Sequence, residues 1–144
     1  MKKSIEMAAI SHEFAQHILA VAIDEGAKAG LPVAVTVVDP ALALVAYLRA
    51  DGITPHSVET SRRKAQTAAS TRRATGYLQG ELAGALPAGT GNLLNNIKGG
   101  VPLRVDGTLL GGLGVAGGTP DQDADIARAV LAAVEADPVD LSNQ

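Results

Sequence analysis

Cysteine and tryptophan are absent from this chain of 144 residues, and its only aromatic side chains are Phe14, Tyr47 and Tyr77. Without cysteine there can be no disulfide, no thiolate zinc site and no cysteine nucleophile. So few aromatics leave no platform on which bases could stack. Positive charge is also short: twelve Lys and Arg against fifteen Asp and Glu give a net charge of −3. A nucleic-acid partner, which needs a basic field, is therefore not expected. Long hydrophobic runs are missing too. Ala41 to Leu48 is the longest, far below the ~20 residues of a spanning helix, so no membrane partner is expected. Met1-Lys2-Lys3 resembles the start of a signal peptide, but Glu6, His12, Glu13 and His17 break up the apolar stretch that such a peptide needs. A cytoplasmic location is the expectation.

What the chain does have is 47% hydrophobic and 19% charged residues, with 16 glycines. That composition and length predict one folded domain over 1–144 with a small-residue core. Ile10, Phe14, Ile18 and Ala22 recur at helical spacing and predict a helix over 5–29, ended by Gly30 and Leu31-Pro32. Val33 to Val38 reads as a buried strand and Leu42 to Arg49 as its antiparallel neighbour. Thr54-Pro55 opens a second helix, with Thr54 as N-cap and His56 at the second helical position, running to about Arg73. Residues 75–92 hold five Gly and one Pro and predict a functional loop with a short helical turn. Residues 93–98 are a further candidate strand. Val101–Val105, Asp106-Gly107 and Thr108–Val115 predict a hairpin with a type I′ turn. Gly111, Gly112 and Gly114 in its second strand predict a close neighbour there, whether helix, subunit or ligand. Thr119-Pro120-Asp121-Gln122 predicts a capping box and a last helix with Ile126, Val130 and Val134 on its apolar stripe. The tail after Asp137-Pro138 is polar and expected to fray. The order describes an α+β domain, an antiparallel sheet flanked by helices.

Three groups of residues carry possible chemistry. His56, at a helix start beside Arg49-Ala50-Asp51-Gly52, is held toward the neutral imidazole that ligates metal or accepts a proton; a surface histidine near a cap is the plain alternative. Lys64 and Arg72 fall at or inside the stripe carrying Val58, Ala65, Ala68 and Ala69, where a charge needs a partner or a pocket. Either could anchor a carboxylate, or join a salt bridge to an Asp. Gly99-Gly100 and Gly117-Gly118-Thr119 invite a phosphate-cradle reading, which Asp121, Asp123 and Asp125 oppose at the second of them. No metal site is expected. His12 and His17 lie about 140° apart around a helix. An EF-hand reading of Asp121-Gln122-Asp123 fails at Ile126 and Ala132, where Gly and Glu are required.

With these pieces placed, the chain resembles the GlcG/HbpS haem-binding family, which includes the C-terminal domain of PduO-type corrinoid adenosyltransferases. The resemblance is carried by Val35-Thr36-Val37-Val38-Asp39 with Leu44-Val45-Ala46, and by Asp51-Gly52, Ser57 and Lys64-Ala65-Gln66-Thr67-Ala68. The most specific stretch runs from Gly99-Gly100-Val101-Pro102-Leu103 through Asp106-Gly107, Gly111 and Gly114-Val115 to Gly117-Gly118-Thr119-Pro120-Asp121-Gln122-Asp123. Two positions depart from the family pattern. Pro40-Ala41-Leu42-Ala43 stands where a Gly-Gly turn is usual, and Ala116 where a serine is usual. The resemblance implies a profilin-like fold with a five-stranded antiparallel sheet, a homo-oligomer, and haem as a cofactor of some members.

Three functional readings are open. The first is an oligomeric accessory protein binding haem or another small molecule, with His56 available to iron and Lys64 or Arg72 to propionates. The second is a small cofactor-free enzyme, an isomerase, lyase or hydrolase for a small aromatic or hydroxy acid, with Lys64 or Arg72 as anchor and His56 as general acid or base. The third is a scaffold. The expected site is a pocket built from the second helix and the two Gly-Gly segments, with Arg49, Asp51, Arg72, Gly99, Gly100, Gly117, Gly118 and Thr119 as its binding residues and His56 and Lys64 as its reactive ones.

Overall fold

A computed structural model describes residues 1–140 and shows an α+β arrangement of four helices and one antiparallel sheet. The elements are α1 (His12–Lys28), β1 (Ala34–Val38), β2 (Leu44–Arg49), α2 (Ser57–Thr71), α3 (Leu82–Gly89), β3 (Gly100–Val105), β4 (Thr108–Ala116) and α4 (Pro120–Ala133). The sheet has four strands in the order β2-β1-β4-β3, not the five expected. The candidate strand over 93–98 is irregular, a pair of bends followed by backbone in no regular element. Its hydrogen bonds run to Leu78 and to α2 instead of a ladder: Asn96 Nδ2 donates to the Leu78 carbonyl at 2.8 Å, Asn96 Oδ1 accepts from Leu78 N, and Asn95 N donates to Thr67 Oγ1.

Other boundaries differ for local reasons. The first helix starts at His12, because Ser11 Oγ accepts the Phe14 amide and so caps it. Residues 5–10 carry no regular secondary structure, and Ile10 is buried while its amide bonds the Leu110 carbonyl. β2 starts at Leu44, because Asp39 accepts the amides of both Ala41 and Ala43 and Leu42 takes a left-handed φ of 70°. α2 begins at Ser57 with His56 in the cap position, and the Thr54 hydroxyl pairs with the Ser57 hydroxyl instead of capping the backbone. The hairpin turn has positive φ at both Asp106 and Gly107, as a type I′ turn requires. The Asp137 carboxylate accepts both turn amides, so the tail is tied down at that point. The end of the polar tail, residues 141–144, lies outside the described residues.

Three layers result. On one face of the sheet, α1 and α4 cover Val33, Val35, Val37, Leu113 and Val115, with Ile18, Ile126 and Val130 among the interlocking side chains. On the other face lies α2, whose buried residues are small or polar: Ser57, Ser61, Ala65, Thr67, Ala68 and Ala69 among them. It can approach closely because β4 offers glycines there. A Cβ on Gly114 would overlap the Ser61 carbonyl, and one on Gly112 the Ala65 carbonyl. The close neighbour expected at those glycines is therefore this helix.

Candidate functional site

Lys64 is the largest fully buried side chain among the described residues, at 1% exposure. It leaves α2 toward the end of β4, where its Nζ donates to Asp123 Oδ2 at 2.7 Å and to the Val115 carbonyl at 2.9 Å. Asp123, in the first turn of α4, is also buried, and its other oxygen accepts the Gly118 amide at 2.8 Å. One ion pair thus joins the helical layers from opposite faces of the sheet. Gly99 makes room for it. With φ at +123°, it sits where a Cβ would lie 2.8 Å from the lysine nitrogen. Burial pushes the Lys64 ammonium below the ordinary lysine range, against the opposing pull of the Asp123 carboxylate and its hydrogen bond.

A cleft of about 130 Å³ opens onto this pair, lined by Thr54, His56, Ser57, Thr60, Gly117, Gly118 and Pro120 together with Lys64 and Asp123. It therefore brings together His56, Lys64, Gly117 and Gly118 of the expected pocket. His56 stands exposed on the wall, at the cap of α2. Among the described residues, Lys64 uses two of its three N–H groups.

The remaining expected residues lie elsewhere. Arg49 ends the edge strand β2 and Asp51 sits in the following turn, both exposed and outside the cleft lining. Thr119 caps α4, accepting the Gln122 amide while its own amide donates to the Gln122 side chain. Gly100 is buried against the Lys64 carbonyl and is occupied with packing.

Arg72 does not share a site with Lys64. α2 ends at Thr71, and Arg72 turns into the left-handed region at φ 60°, which carries it off the helical stripe and into solvent. There it meets Arg104, whose guanidinium donates to the Arg72 carbonyl at 3.1 Å. These two arginines line both of two adjoining grooves. One, of about 590 Å³, has Met7, Pro40, Leu42 and Leu109 in its walls. The other, of about 340 Å³, adds Arg73 and Tyr77, with the Arg73 guanidinium 3.8 Å from the centre of the tyrosine ring.

Asp123 and Arg104 are the residues missed by sequence reasoning. Asp123 carried a readable signal. It stands three, seven and eleven residues before Ile126, Val130 and Val134, on the apolar stripe of its helix, as Lys64 does on its own. Arg104 gave none, because its partner is a backbone carbonyl.

Comparisons with known proteins agree over most of the chain. The E. coli K12 protein GlcG is 37% identical over 107 residues, covering 74% of this chain and 80% of GlcG. Corrinoid adenosyltransferase PduO of Salmonella typhimurium is 32% identical over 139 residues, which span 92% of this chain but 41% of PduO. The crystal structure of the PduOC:heme complex superposes with a TM-score of 0.83 at 29% identity, over 92% of this chain and 100% of that one. Among the described residues no helix is long and apolar enough to cross a membrane. The family model described as haem degrading protein HbpS-like matches residues 10–132, and the chain belongs to that family.

Proposed function

We propose that this protein is a haem-binding accessory protein, working as an oligomer of identical chains. The observation that supports the reading most is the close likeness of its fold to a relative solved with haem. The cavities bear differently on it. Small-molecule pockets run upward from ~300 Å³, so the cleft at Lys64, about 130 Å³, is too small for a tetrapyrrole. The paired grooves at Arg72 and Arg104 are large enough, and their chemistry fits. Met7, Pro40, Leu42 and Leu109 offer an apolar wall to a flat macrocycle. Arg72 and Arg104 offer fork-shaped donors to propionates. Of the side chains in the larger groove, Met7 has the soft donor that iron accepts. Haem itself would supply a redox-active iron. Arg72 and Arg104 would hold its propionates, and the apolar wall would keep water from the ring.

This reading takes His56 away from the iron, since it lines the small cleft and neither groove. The test is a haem titration followed in the visible spectrum. A saturable Soret shift is expected, unchanged in His56→Ala. It should weaken by about tenfold or more in Arg72→Ala/Arg104→Ala, given ~1.5–3 kcal/mol for a hydrogen bond to a charged group. A wild-type protein that shows no saturable shift overturns the proposal. Loss of the shift in His56→Ala moves the ligand to the cleft side of the molecule.

A further inference from the structure

The haem reading leaves the Lys64 cleft without a task. We propose that this cleft admits a small carbonyl compound, an aldehyde or 2-oxo acid, and that Lys64 condenses with it to form a Schiff base.

Four observations meet here. Lys64 is one of the residues that line the cleft, and its buried amine has one N–H group that no described residue accepts. The space, about 130 Å³, is that of about four waters at the ~30 Å³ each occupies in the liquid, which suits only a small carbonyl compound. Thr54, Ser57 and His56 line the same walls; the Thr54 and Ser57 hydroxyls pair with each other and so leave one O–H between them, which with the imidazole gives a polar substituent such as a carboxylate its donors. Asp123, 2.7 Å from the lysine nitrogen, is placed to take the proton that must leave before the amine can attack. Burial favours that neutral amine, the form in which a lysine is a nucleophile.

The step balances without a further reagent. The Lys64 ammonium passes one proton to Asp123. The nitrogen lone pair then bonds the carbonyl carbon, and both hydrogens of the neutral amine leave with the carbonyl oxygen as water. The proton held by Asp123 ends on the imine nitrogen. The charge is that of the starting ammonium, so the product still pairs with the carboxylate. Gly99 is a positioning residue, since a methyl group there would meet the nitrogen.

The native protein is incubated separately with pyruvate and with propanal, reduced with borohydride, and mapped by peptide mass. The expected result is one reduced adduct, on Lys64, formed faster than in a urea-unfolded control. His56→Ala should slow labelling by pyruvate more than labelling by propanal. Lys2, Lys3, Lys28 and Lys98 provide an internal comparison. Adducts confined to those four lysines, no adduct at all, or labelling of Lys64 no faster than in the unfolded chain would each overturn the proposal. Because the readout is the wild-type adduct, no variant has to fold for the answer, and a failed haem titration leaves it untouched.

Discussion

Lys64 and Asp123 bury opposite charges where α2, β4 and α4 meet, and each depends on the other for staying there. A lone buried charge is costly, whereas a pair of apolar side chains in the same volume is often neutral or better. Lys64→Met should therefore cost ~3–5 kcal/mol in urea denaturation, and Lys64→Met/Asp123→Leu should recover most of that loss. An additive loss in the double variant would show that the pair is not coupled. The pH dependence has a definite sign. The native pKa of Lys64 lies below its unfolded value of 10.5. Between those two values the unfolded chain binds the extra proton, so stability contributed at this site rises with pH across that window. The wild type should gain stability relative to Lys64→Met as pH climbs toward 10.5, and a flat difference would contradict the shift. From the sequence, the lysine's need for a partner was legible in its place on an apolar stripe. The identity of the partner was not, because two stripes on different helices do not reveal which ends of them meet.

At the scale of elements, the sheet carries a trade between glycine and helix. α2 buries mostly Ala, Ser and Thr and lies close because Gly112 and Gly114 keep the face of β4 bare. Gly114→Ala places a methyl group against the Ser61 carbonyl, which cannot retreat without lifting the helix. It should cost at least the ~1–3 kcal/mol of an overpacked core, read as a lower denaturation midpoint with unchanged slope. The same change at Gly84, which has open space around it, should be tolerated. At the other end of the sheet, Thr119 and Gln122 close a reciprocal cap on α4. That box was readable from four letters because its chemistry is local. The beginning of α1 was not, because Ile10 continues the helical spacing of Phe14 and Ile18 yet is buried from the irregular segment before the helix. Residues 93–98 misled for a related reason. Leu93, Leu94 and Ile97 have strand-like character, but Asn95 and Asn96 spend the local hydrogen bonds on Ile97, on Thr67 of α2 and on Leu78.

For the whole molecule, the two edges of the sheet are unequal. The outer side of β3 is covered, with Thr75 N bonded to the Gly100 carbonyl and Asp137 N to the Arg104 carbonyl. β2 has no ladder partner on its outer side among the described residues, and Leu44 and Leu48 on it are exposed. An open edge with exposed leucines is a template for another chain, and folded proteins seldom leave one uncovered. The oligomer in the proposed function therefore has a physical place to form. Light scattering on the wild type should give a multiple of 14.6 kDa. Leu48→Lys, which sets a charge on that edge, should shift the population toward the single chain while leaving the far-UV spectrum unchanged. If haem binding survives that shift, the paired grooves of one chain suffice for it. If binding falls with the oligomer, a second chain completes the site, and the exposure of Leu44 and Leu48 has its explanation in that contact. A wild type that scatters as 14.6 kDa removes the oligomer and leaves the exposed edge to be protected by its own twist and by Arg49.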